Sequence, residues 1–229
     1  VGEAEGGELL ERVRTTFERC GSRARYLTLP ERGYALDLVR EAASGALSAA
    51  GRAATDVDLV IYCSVARGWL EPSMAAAVQH AIGATNASCF DVLEACAGWV
   101  RALEVADGLM RSGRYRNALV LGVEAGMHEY LVAPDLLQNC EPEQLAGFTI
   151  GEMATATLLE PDPAGAFECR IRSLGEHFDL CMIPLPNAEA FLPDDGSDAP
   201  PFGRFLSRSD KLFARVIAEL VDMARPRIA

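Results

Sequence analysis

The chain has 229 residues, 50% of them apolar, with a formal net charge of −12 and a pI near 4.7. That length and apolar content suffice for one large domain or two packed halves, each with its own core. The acidic balance argues against nucleic acid, whose binding needs clustered lysines and arginines. With no apolar run of membrane-spanning length, and no basic-then-apolar leader in "VGEAEGGELLERVRTTFERC", the expected setting is the cytoplasm, with no membrane partner.

In chain order, "GYALDLVREAASGALSAAG" (Gly33 to Gly51) spaces its apolar residues for a helix and closes on glycine. "DVDLVIYCS" (Asp56 to Ser64) is a short β-branched run that reads as a strand covered on both faces. "EPSMAAAVQHAIGA" opens with Pro72 and Ser73, which suit a first helical turn, and reaches its stop at Gly83. A strand over Cys89 to Leu93, a helix from about Ala97 to Arg111 and a strand over Asn117 to Ala125 follow. This alternation predicts βαβ units, a mainly parallel sheet with helices on both faces. From His128 to Gly147 periodicity is lost, as in a connection that covers a binding site. "TATLLE" and "FECRIRSL" read as two strands joined by a tight turn at "PDPAG", where one structural half ends. Pro184 to Gly203 reads as an exposed loop, and "SRSDKLFARVIAELVDMA" as a helix with Phe213, Val216, Ile217, Leu220 and Met223 on one face.

Seven cysteines, at 20, 63, 89, 96, 140, 169 and 181, are odd in number, scattered and never arranged as CxxC, so neither a disulfide framework nor a metal site is expected. Cys96 stands apart. In "EACAGW" (Glu94 to Trp99) it falls at a strand-to-helix junction, where unpaired backbone N–H groups and the helix dipole stabilise a thiolate or an oxyanion. Small neighbours leave room for a substrate carbonyl. Local pattern alone leaves Cys96 open between a core thiol and a nucleophile.

From Asp56 to about Thr157 the chain resembles the first half of a thiolase-superfamily condensing enzyme, most closely a β-ketoacyl-acyl carrier protein synthase III. The residues that carry the resemblance are "DLVIYCS", "EPSMAAAVQHAIGA", "FDVLEACAGWVRALEVADGLMRSGRYRNALVLGVEA" and "FTIGEMATATLL". Upstream, "RCGSRARY" resembles the family's "RTGIRER" element. Downstream, "IPLPNAEAF" and "FLSRSDKLFARVIAELV" resemble the opening of its second half. The resemblance implies an α/β fold of thiolase-like α-β-α-β-α layers, incomplete at both ends. Residues 1–165 would form the half with the nucleophile and residues 166–229 the beginning of the second half.

It further implies that Cys96 takes an acyl group from a coenzyme A or acyl carrier protein thioester, its backbone N–H donating to the oxyanion, before a second substrate attacks. No cofactor is permanently bound. The acceptor is a malonyl unit, an alcohol or an amine, in specialised, polyketide- or fatty-acid-like metabolism. A carrier protein is the expected partner, docking on Arg111, Arg114 and Arg116 or on Arg204, Arg208 and Lys211. A homodimer is expected too, with Asn117 to Val123 pairing with its symmetry mate. A non-catalytic accessory subunit and a thioester hydrolase are the competing readings.

Several positions depart from the family pattern. "IGEMATA" replaces "FGDGAGA", putting Met153 and Thr155 where glycines are usual, with Met153 a candidate substrate contact. Glu94 replaces a small residue; it reads equally as a group beside the nucleophile and as a paired carboxylate holding a loop. Trp69 and Glu71 fall in a loop that in relatives reaches toward the partner's acyl pocket, so they shape the pocket or fill the interface. Arg19 matches an arginine that contacts the nucleotide end of coenzyme A, but "VRTTFE" stands where a stacking tryptophan is usual, which favours a carrier-protein donor. The family's catalytic histidine and its Asn or Asp partner have no counterpart here. His80, His128 and His177 are not assigned as the base, with His128 the nearest to a candidate.

Overall fold

The computed structural model describes residues 3–27, 32–127, 130, 142–163, 165, 167–194, 200 and 202–225. In order, the elements are α1 (Glu3–Cys20), α2 (Tyr34–Ala49), β1 (Leu59–Tyr62), α3 (Met74–Ile82), β2 (Ser88–Asp91), α4 (Gly98–Arg111), β3 (Ala118–Glu124), β4 (Met153–Leu159), β5 (Cys181–Met182), β6 (Leu206–Ser207) and α5 (Ser209–Ala224). They fall into two compact units. One combines Tyr26–Gly126 with Gly151–Arg172; the other combines Val1–Arg25, Met127–Ile150 and Ser173–Ala229.

The first of these units holds the expected α/β sandwich. Its sheet runs β2-β1-β3-β4, with β1 parallel to β2 and β3, and β4 antiparallel to β3. In register, Val60 stands opposite Cys89 on one side and Leu119 on the other. All four residues of β1 are buried, as a central strand with helices on both faces requires. Alternation splits them. Val60 and Tyr62 join Val39, Ala43, Met74 and Val78 in the core under α2 and α3, while Leu59, Ile61 and Cys63 join Ala102, Leu103 and Ala106 under α4.

Two expectations change. The segment from Phe167 to Leu174 alternates like a strand but is irregular, and it pairs with no strand among the described residues; Arg170 instead reaches sideways to Glu168 at 3.0 Å. The strand expected to pair across a dimer, Asn117 to Val123, corresponds to β3, whose two edges are already taken by β1 and β4. An interior strand has no free backbone groups to offer a second copy. The sheet's two edge strands are β2 and β4; on β2, Ser88 and Val92 donate to Asp58 and Tyr62 on the β1 side, so alternation turns the N–H groups of Cys89 and Asp91 outward.

In the other unit, α1 leads into an extended segment whose Arg25 donates to the carbonyl oxygen of Gly147 at 3.2 Å, and β5 pairs antiparallel with β6. The apolar face expected on α5 exists, but Phe213, Val216, Ile217 and Leu220 are exposed along it. The expected excursion from His128 to Gly147 lies mostly outside the described residues; from Pro142 to Thr149 it is 3-10 helical. Among the described residues no helix is long and apolar enough to cross a membrane.

Candidate active site

The chain leaves β2 at Asp91 and enters α4 at Gly98 through a short 3-10 turn, Ala95–Ala97. Ala95 has a φ of 43°, the one positive value among the described non-glycine residues. A side chain in that region costs about 1–3 kcal/mol and persists only where its surroundings over-determine it. The turn therefore swings sharply, and Cys96 emerges exposed at the head of α4, where helix amides lack intrahelical acceptors. Directly behind it, Gly98 sits so close to the end of β1 that a Cβ would fall 2.5 Å from the carbonyl oxygen of Cys63. Glycine is the residue that lets α4 press onto the sheet here.

The surroundings of the sulfur are built from three directions. On its own turn, Glu94 is gripped by Arg101, with contacts of 2.5 Å and 3.0 Å from Nε and Nη2, and Arg101 also holds Glu104 at 2.6 Å. The guanidinium's hydrogen bonds hold the Glu94 carboxyl below its ordinary range. On α4, Trp99 stands one turn beyond Cys96 and donates from its indole N–H to Thr157 of β4 at 3.1 Å. With Leu93 and Val100, Trp99 leaves exposed apolar surface on the residues that flank the cysteine turn. Beneath, Cys63 is buried and its thiol, pushed up to about 11 by burial first and the Glu124 charge second, stays protonated.

The loop before α3 is tied to the same strand end. Ser73 makes no side-chain cap; the Asp91 carboxylate caps α3 instead, accepting from Met74 at 2.9 Å and Ala75 at 2.8 Å. Arg67 lies 3.6 Å from that carboxylate, and its Nε and Nη2 are buried without a partner. Glu124, at the end of β3, accepts from the amides of Val65 and Ala66; burial raises its carboxyl, opposed by those two amides. Sequence reading missed Asp91, Arg67, Glu124, Ala95 and Arg101. The sequence carries no signal for Asp91, since Ser73 offers α3 a cap of its own and Asp91 follows that helix in the chain.

Of the expected site residues, Cys96, Glu94, Trp69, Glu71 and Met153 all belong to this unit. Trp69 is exposed and donates to the Pro72 carbonyl at 2.9 Å, and Glu71 projects from the same loop. Met153 is exposed at the start of β4. Arg19 is exposed in the last turn of α1, in the other unit. His80 sits on α3, across the sheet from α4; His177 belongs to the other unit, and His128 lies outside the described residues. Arg111 and Arg116 are paired with Asp107 and Asp58 at the opposite end of α4 from Cys96, about 20 Å along its axis at 1.5 Å per residue. Among the described residues no three His, Cys, Asp or Glu side chains gather as a metal site.

Residues 90–175, which take in the end of β2, the cysteine turn, α4, β3 and β4, match the family model for 3-oxoacyl-[acyl-carrier-protein (ACP)] synthase III. The chain is similar to synthase III. A β-ketoacyl-[acyl-carrier-protein] synthase III of Clostridium perfringens is 42% identical over 113 residues, covering 49% of this chain and 33% of that protein. One of Bordetella petrii is 44% identical over 108 residues, covering 47% and 32%. The chain thus spans about a third of the length of these synthase III relatives. Among solved structures, a priming β-ketosynthase of a polyketide biosynthetic pathway superposes with a TM-score of 0.70 at 23% identity, over 89% of this chain and 57% of that one. A cysteine-to-serine variant of Xanthomonas campestris OleA, solved with lauric acid and lauroyl-CoA, gives 0.67 at 23% identity, over 93% and 65%. At that identity the likeness is one of fold, and the fold is the thiolase-like α/β architecture of synthase III.

Proposed function

We propose that this chain carries the nucleophile of a synthase III-type acyltransferase, and that Cys96 is acylated by a thioester. The observation that carries it is the exposed sulfur at the head of α4, delivered by the strained Ala95 turn and by Gly98 pressed on the Cys63 carbonyl. In the first step the Cys96 thiolate attacks the thioester carbonyl, backbone amides at the helix head stabilise the oxyanion, and the donor leaves as its thiol. In the second, an acceptor attacks the acyl-enzyme and returns the Cys96 thiol. An alcohol or amine acceptor must give its proton to a base, whereas a malonyl acceptor becomes the nucleophile by losing CO2; His80, the one histidine in this unit, lies across the sheet.

The donor is acyl-coenzyme A or the phosphopantetheine of an acyl carrier protein, with no resident cofactor. Exposed apolar side chains flanking the cysteine turn suit an aliphatic acyl group, with Met153 and Trp69 as candidate contacts. A malonyl, alcohol or amine acceptor, in cytoplasmic specialised metabolism, completes the reading. Similarity to named synthases favours this over an accessory subunit. Incubation with a panel of acyl thioesters, read by intact mass, is expected to add one acyl group to the wild type and none to Cys96→Ala. Absence of an adduct with every donor would refute it.

The open edge of β2 supports a homodimer built by continuing the sheet through Cys89 and Asp91. Sedimentation is expected to give twice the protomer mass, and a monomer across the micromolar range would remove this part of the reading.

A further inference from the structure

We infer that Glu94 and Arg101 form a clamp that positions Cys96, with neither residue taking part in chemistry. The inference rests on the acyl-enzyme reading for its purpose, not for its test. Glu94 is the last residue before the left-handed Ala95, with φ −145° and ψ 42°, so it anchors the entry to the turn. Arg101 lies on the first turns of α4, just past the turn's exit. Its guanidinium meets both Glu94 carboxylate oxygens, the fork-on-fork geometry that fixes orientation as well as distance. Glu104, one turn on, holds the remaining end of the same guanidinium, so Arg101 is not free to swing with Glu94. The chain from 94 to 101 is thereby closed into a loop that contains Ala95, Cys96 and Ala97.

That closure answers a question the backbone raises. Ala95 is strained, and no side-chain hydrogen bond caps either the 3-10 turn or α4. Close packing of Gly98 on Cys63 fixes the exit of the turn; the ion pair fixes its entry. Protonating the paired carboxylate would remove the charge that strengthens both of its hydrogen bonds to Arg101, which favours the loop-holding role for Glu94 over that of a general base.

The test is site-resolved alkylation with iodoacetamide, which needs no acyl donor and so stands or falls independently of the acyl-enzyme reading. Peptide mass spectrometry follows Cys96, the exposed Cys20 and the buried Cys63 in one experiment. Glu94→Ala and Arg101→Ala are each expected to slow labelling of Cys96 about tenfold, the scale on which a small displacement of a reacting group is felt. The double variant should be no slower than either single one, since both remove one device. Cys20 should keep its rate and Cys63 its protection. Opposite effects of the two variants would mean that charge, not position, acts on the thiol, and would overturn the clamp. So would an unchanged Cys96 rate, or loss of Cys63 protection, which would mark the pair as a general support of the fold.

Discussion

A Cβ at position 98 would lie 2.5 Å from the Cys63 carbonyl oxygen, closer than two such atoms approach without a backbone shift. Gly98→Ala must therefore lift the head of α4 off β1. The expected cost is about 1–3 kcal/mol, the range for forced overpacking, read by urea unfolding, together with slower alkylation of Cys96. Stability equal to wild type would show that the helix head has slack. Cys96 itself was legible from its small neighbours and from its place between an apolar run and a periodic one. The means of aiming it were not. Nothing in "EACAGW" marks Ala95 as left-handed, because alanine enters that region only when its surroundings compel it. Arg101 belongs to a helix whose face toward Glu94 is set by the turn itself.

Among the elements, α3 depends on a residue that is not its own. Asp91 supplies both acceptors for its head and a carboxylate 3.6 Å from Arg67. Asp91→Ala is expected to cost about 1–3 kcal/mol, combining a lost cap with a buried guanidinium left uncompensated. Asp91→Asn, which keeps one acceptor oxygen, should cost less in the same denaturation experiment. Equal stability of wild type and Asp91→Ala would refute the cap. Helices α2, α3 and α4 and strands β1 to β4 were legible because each buries a periodic face that the sequence displays. The failure at Phe167 to Leu174 has the opposite cause. A strand is real only when a neighbour accepts its backbone, and alternation along one segment cannot reveal whether that neighbour exists. The strand expected to pair with a second copy proved interior for the same reason: which strand is left at the edge is a property of sheet order, not of any one strand's composition.

At the scale of the molecule, the nucleophile's unit is built from two stretches of chain, Tyr26–Gly126 and Gly151–Arg172, and its sheet gains its fourth strand only when β4 returns antiparallel to β3. The bare face of α5 and the exposed apolar side chains beside Cys96 are surfaces that composition cannot distinguish from core, since the same residues serve both. The match to the synthase III family model covers residues 90–175, which contain the turn, α4 and β3, one of the two strands on which α4 packs. The most direct measurement is peptide-level mass spectrometry after brief exposure to acyl-coenzyme A and acyl carrier protein thioesters. The acyl group is expected on the peptide that contains Cys96. An acyl group found instead on Cys20, or on no cysteine while Cys96 remains open to iodoacetamide, would contradict the assignment.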